Sequence, residues 1–147
     1  MTPDIIYYID RTKPPKQNPI LSLSNASSDE GKLTFVAGDK INVGLVFVTG
    51  TDIDTTTVSG SVASSYYYYL AIGQYAGSTP YTTTTVWGVS GSWGVTGSLD
   101  LSTAALTASL GTNEFIEPVL QLSITQSNGL RQTPMLRKVK IYNPVHL

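Results

Sequence analysis

Gly97-Ser98-Leu99-Asp100-Leu101-Ser102-Thr103 opens the region that decides the fold, and Val119-Leu120-Gln121-Leu122-Ser123-Ile124-Thr125 follows it. The second run alternates apolar and polar side chains. Leu120, Leu122 and Ile124 therefore share one face of a strand and turn toward a core. Between the two runs, Ser102 is a helix-capping residue, Leu106 and Leu110 fall on one helical face, and Gly111 is a stop signal. These features predict a short helix, which holds only when docked on a sheet. Asn128-Gly129 signals a chain reversal. Met135–Tyr142 reads as the closing strand, with Val139 and Ile141 inward and Lys138 and Lys140 outward, as on a charged edge.

Upstream, Ile41, Val43, Leu45 and Phe47 alternate in a strand entered through the Gly38-Asp39 turn, where Asp39 reads as a turn-capping carboxylate. Val58–Ala63 suggests another strand. Tyr66-Tyr67-Tyr68-Tyr69-Leu70-Ala71-Ile72-Gly73 is a clearer one. Period two puts Tyr66, Tyr68, Leu70 and Ile72 on one face and Tyr67 and Tyr69 on the other. Thr82–Thr85 suits a strand at a solvent edge. Gly88, Gly91, Gly94 and Gly97 recur at every third position, but the run is too short and proline-free for a triple helix. It also lacks the spacing of dinucleotide and phosphate loops. It reads as a flexible turn that places Trp87 and Trp93.

Residues 4–10 predict a strand carrying Tyr7 and Tyr8. Pro14, Pro15 and Pro19 then exclude a regular helix and remove backbone donors, so the segment reads as an extended arm. Two readings of that arm stay open: a linker laid over the sheet, or an arm reaching a neighbouring subunit. The expected division is an arm and loop over 1–31, a sandwich domain over 32–143 and a tail over 144–147.

Composition narrows the function classes. The chain has 147 residues, enough for one domain with a real core. Charged residues make up only 13% and the net charge is −1, which argues against binding nucleic acid through an overall basic field. No apolar run of about 18 residues is present, so no membrane insertion is expected. The N-terminus lacks the basic-then-apolar pattern of a signal peptide. Cysteine is absent, which removes disulfides, thiolate metal sites and cysteine nucleophiles. Scarce charge also means weak protection of sheet edges, so neighbouring subunits are expected to cover part of the surface.

Chemistry-bearing patterns are few. Asp52 and Asp54 alternate in a loop but lack the rest of a calcium-loop pattern, so no metal is expected. His146, the single histidine, sits in the C-terminal tail and is a poor triad member. Glu114 and Glu117 could be drawn as an acid–base pair for glycoside cleavage, yet they read better as a solvated strand end. No cofactor is expected. The tyrosine strand has two readings, packing or a stacking platform for sugars.

Two segments resemble a β-sandwich module of tail-associated structural proteins in tailed bacteriophages and prophages. One is Phe35–Phe47 with its Gly38-Asp39 turn. The other is Gly97–Thr103 with Leu106 and Leu110, followed by Leu120–Ile124, Arg131-Gln132-Thr133 and Val139–Asn143. The resemblance implies an all-β antiparallel β-sandwich with one short helix and an extended N-terminal arm. It also implies a non-enzymatic virion protein of the tail or fibre-attachment region, a homo-oligomer that contacts other virion proteins. Since the chain stops at Leu147, an adaptor or decoration role is expected over direct receptor binding. The alternative is a carbohydrate-binding sandwich that meets a host-surface glycan. Candidate contact residues are Tyr7, Tyr8, Pro14, Pro15, Tyr67, Tyr69, Trp87 and Trp93.

Overall fold

A computed structural model describes residues 4–20, 33–49, 52–53, 66–75, 78–84, 87–90, 94–126 and 129–146. The protein is mostly β, as expected. Twelve strands follow in chain order: β1 (Ile5–Asp10), β2 (Thr34–Val36), β3 (Lys40–Thr49), β4 (Asp52–Ile53), β5 (Tyr66–Gly73), β6 (Pro80–Thr84), β7 (Trp87–Ser90), β8 (Gly94–Asp100), β9 (Phe115–Ile116), β10 (Val119–Gln126), β11 (Arg131–Lys138) and β12 (Lys140–Tyr142). Among the described residues there is one α-helix, α1 (Ala104–Leu110). The strand expected over Val58–Ala63 lies outside the described residues.

Two sheets form the sandwich. One has the order β1-β3-β8-β7, with β4 paired to β3, and the other has the order β11-β10-β5-β6. Their facing positions make one core. Tyr7, Leu45, Phe47 and Leu99 from the first sheet meet Tyr68, Leu70, Leu122 and Ile124 from the second. The Phe47 and Tyr68 rings lie 5.9 Å apart across it. The alternation expected for Leu120, Leu122 and Ile124 holds, and all three are buried.

A third sheet, β2-β12-β9, closes one end together with α1. Phe35 and Ile141 from this sheet join Leu106 and Leu110 from the helix in the same core. Gly38 makes the turn into β3 possible. Its φ of 98° suits glycine, and its N–H donates to Leu101 O at 2.7 Å. The helix starts one residue later than expected. Thr103, not Ser102, accepts from Leu106 N at 3.3 Å, while the Ser102 hydroxyl donates to the Asp100 carboxylate. Gly111 ends the helix with φ 54°.

Several expectations change. The pairing is not purely antiparallel: β1 runs parallel to β3, and β12 parallel to β2. The closing segment expected over Met135–Tyr142 splits in two: β11, with exposed Lys138, is an edge of the four-stranded sheet as expected, whereas β12 is not an edge, since β2 and β9 flank it. Lys140 instead lays its ammonium 4.5 Å from the Phe115 ring centroid, a cation–π contact. Gly88–Gly97 is not a free turn, because β7 and β8 pair in antiparallel register from Trp87↔Gly97 to Ser90↔Gly94. Small residues leave the backbone free to close this ladder, and a side chain at Gly94 would meet Leu45 O at 2.8 Å.

The N-terminal segment is the largest revision. Residues 5–20 are part of the sandwich, so the boundary drawn after residue 31 does not separate them from it. The prolines do not extend the chain either, and Pro15–Gln17 forms a 3-10 turn that packs against β11. Asn18 holds that return in place. Its buried side chain accepts from Asp10 N at 2.9 Å and donates to Asp10 O at 2.8 Å and Pro134 O at 2.7 Å. Gln132 and Arg11 add a reciprocal pair beside it, with Arg11 Nε donating to Gln132 Oε1 at 2.8 Å and Gln132 Nε2 donating to Arg11 O at 3.2 Å. Together these bonds join the β1 edge of one sheet to the β11 edge of the other.

Two predictions follow from this chemistry. Asn18→Ala strips the bonding side chain from Asp10 N and Pro134 O, while Asp10 O keeps Lys13 N, so urea denaturation should show a loss of about 3 kcal/mol. At Asp100, the Ser102 hydroxyl and its N–H (2.8 Å) hold the carboxyl below its ordinary range, helped by the charge of Lys40. A depressed pKa contributes stability above the unfolded value and loses it as pH falls through the folded value. The melting temperature of Asp100→Asn should therefore lie below that of the parent at neutral pH. The two should converge as the pH drops well below about 4.

Candidate functional site

The face of the four-stranded sheet that points away from the core is the candidate site. Period two along β5 and β10 sorts the side chains. Tyr68, Leu70 and Ile72 go in, while Tyr67 and Tyr69 come out, 66% and 37% exposed. Cross-strand register then sets Tyr69 opposite Ser123 and Tyr67 opposite Thr125. Thr125 pairs on its other side with Arg131. Two tyrosines, a hydroxyl row and an arginine thus lie side by side on three adjacent strands.

A β-bulge controls where the arginine goes. Leu122 faces Met135 and Ile124 faces Gln132, so Ser123 spans both Thr133 and Pro134. Counting by twos from the buried Met135 would turn Arg131 toward the core. The extra residue reverses that parity. Gln132 is sent to the β1 edge, and Arg131 is sent out over β10. Pro134 fits here because the ladder is already interrupted on an edge strand, and its carbonyl serves Asn18.

Ser123 organises the face. Its buried hydroxyl accepts from Arg131 Nη2 at 3.1 Å and Gln121 Nε2 at 3.2 Å, and lies 3.4 Å from Thr133 Oγ1. Arg131 is itself exposed, and its side chain makes that single hydrogen bond among the described residues. The rest of its five donors are left to solvent or a ligand. At the other end of β10, a cavity of about 390 Å³ is lined by Lys16, Val119, Leu136, Arg137 and Lys138.

The other sequence candidates do not converge here. Tyr7 is fully buried in the core and cannot contact a partner, and burial pushes its phenol far above the ordinary range. Alternation sends Tyr7 inward and leaves Tyr8 half-buried on the opposite face of the other sheet. Pro14 and Pro15 are exposed at the 3-10 turn beside β11. The backbone of Trp87 lies in β7 opposite Gly97, but its side chain, like all of Trp93, lies outside the described residues. Glu114 and Glu117 are exposed on either side of β9, and Glu117 lines a cavity of about 210 Å³ with Gln74 and Tyr81. Among the described residues no group of three or more histidine, cysteine, aspartate or glutamate side chains is placed to hold a metal ion. No described helix is long and apolar enough to cross a membrane.

Reading the sequence missed Gln121, Ser123, Thr125 and Arg131 as site residues. The outward parity of Gln121, Ser123 and Thr125 was there to be read, but their pairing with the tyrosine strand was not. No protein-family model and no curated protein matches the chain.

Exposure separates the two roles of the tyrosine strand. Tyr67→Ala should change stability by no more than about 0.5 kcal/mol, whereas Tyr68→Ala should cost about 3 kcal/mol. Paired chemical denaturation curves measure both.

Proposed function

We propose that this chain is a non-enzymatic structural module of a phage virion, in the tail or fibre-attachment region, and that it works by assembling with copies of itself and with other virion proteins. The resemblance of Phe35–Phe47 and Gly97–Asn143 to tail-associated sandwich modules suggests the setting. The observation that carries assembly is the state of the sheet edges. Among the described residues β6 pairs only with β5, and β7 only with β8. Their sequences, Pro-Tyr-Thr-Thr-Thr and Trp-Gly-Val-Ser, contain no charged residue. Uncharged edge strands are templates for strand addition by a neighbour. The opposite edges are treated differently. An isolated bridge between Tyr8 and Ile20 borders β1, and the proline turn packs on β11.

Assembly through a free N-terminal arm loses its support. Removing residues 1–19 would delete β1, the core side chains Tyr7 and Ile9, and the Asn18 contacts. That truncation should unfold the sandwich rather than detach an arm.

A second reading, carbohydrate binding, is favoured by the outward tyrosine pair beside Ser123, Thr125 and Arg131. Flat aromatic faces next to fixed hydrogen-bonding groups suit sugar rings. It is compatible with the first, because the edges and the face are different surfaces.

Light scattering on Thr83→Lys tests the assembly reading. The parent should self-associate, and a charge on β6 should leave a folded monomer with an unchanged melting temperature. A parent that stays monomeric at high concentration and is absent from purified particles would reject it.

A further inference from the structure

We infer that the outer face of the four-stranded sheet binds an acidic polysaccharide, with sugar rings stacked on Tyr67 and Tyr69 and a carboxylate held by Arg131. This rests on the carbohydrate reading and adds to it the charge and orientation of the ligand.

The charge comes from the strands themselves. None of β5, β6, β10 and β11 contains an aspartate or glutamate, while β11 sets Arg131 opposite Thr125 and Lys138 opposite Val119 on this face; Arg137, opposite the buried Leu120, turns instead to Asn18 O. The whole chain carries net charge −1, so positive charge is concentrated on this sheet. An anion meets no like charge from these four strands. Arg131 is also pre-positioned. Its bond to the buried Ser123 hydroxyl fixes the guanidinium beside Tyr69, the residue directly opposite Ser123. A planar fork held next to an aromatic face can take a carboxylate in two parallel hydrogen bonds while the attached ring stacks.

The site favours an extended glycan over an acidic peptide. Tyr67 and Tyr69 lie two residues apart on one face, with the Thr125 hydroxyl and the Gln121 amide on the next strand, while the buried Ser123 serves to hold Arg131. Ring stacking and hydroxyl recognition use that surface directly, whereas a peptide would need side-chain pockets or a free strand edge. β10 sets the direction. From Thr125 to Val119 the strand rises about 20 Å. It ends at the cavity lined by Lys16 and Lys138, which can meet a second acidic unit of the same chain.

The test is calorimetric titration of the intact protein with three probes: a galacturonic acid hexamer, its methyl ester and cellohexaose. The acidic hexamer should bind at least tenfold tighter than the ester, and its affinity should fall as salt rises. Tyr67→Ala and Arg131→Gln should each weaken it at least tenfold with unchanged melting temperature. Lys40→Gln, on the other sandwich sheet, should leave it unchanged. No binding of the hexamer, or binding indifferent to both substitutions, would overturn the inference. Cellohexaose bound as tightly as the acid would keep the carbohydrate reading but overturn the acid preference. Binding of polyglutamate in place of the hexamer would overturn both and assign the face to an acidic peptide. None of these outcomes bears on the Thr83→Lys assembly test.

Discussion

The buried amide of Asn18 is the interaction on which the rest of the arrangement depends. A sandwich needs its two sheets joined at their sides as well as pressed together at their faces. Apolar burial alone is non-directional and would let the sheets slide. Asn18 supplies direction. One side chain satisfies a donor and an acceptor of Asp10 at the end of β1 and an acceptor of Pro134 in β11. It can do so only because the proline turn brings it back between the strands. The prolines that look like an extended arm are what allow the chain to double back over its own sheet.

On the far side the closure is built differently. Two residues separate β6 from β7, so the chain itself passes from one sheet to the other. Thr82 Oγ1 donates to Asp100 O at 2.6 Å, and Thr103 Oγ1 donates to Tyr81 O at 2.8 Å, linking β6 to the end of β8 and the start of α1. Threonine serves here for two reasons. Its branched carbon suits a strand, and its hydroxyl donates to a partly buried carbonyl of the neighbouring element. The result is an edge strand without charge, tied to β8 and α1 through side chains rather than through a further ladder.

Much of the core was legible in the sequence because side chains alternate between the two faces of a strand, even where both faces are covered, as at Val43–Val48. Val43 to Phe47, Tyr68 to Ile72 and Leu120 to Ile124 announce their faces without knowledge of their neighbours. What was not legible depends on partners distant in the chain. β1 finds β3 in parallel, and β12 lies between β2 and β9, so strands that look terminal become internal. The fate of Tyr7 follows from this. On its own strand it is one of two adjacent tyrosines, and only the pairing with β3 decides that it is the one to be buried. The candidate face was half legible. Tyr67 and Tyr69 were visible as an outward pair, but the hydroxyl row opposite them was assigned no role because register between separate strands leaves no local trace.

Arg131 shows how such a gap arises physically. Simple alternation from Met135 would turn it inward, where an unpaired guanidinium would be costly. The bulge opposite Ser123 reverses its direction, and Pro134, which cannot complete a regular ladder, sits at the interruption. The same irregularity therefore performs two tasks. On one side of β11 it frees the Pro134 carbonyl and turns Gln132 for the contacts that close the sandwich. On the other it delivers a cation to a face that carries two open aromatic rings. Closure and surface chemistry are coupled through one extra residue. A change that regularised the ladder would be expected to withdraw Arg131 from the face and loosen the β1 edge together.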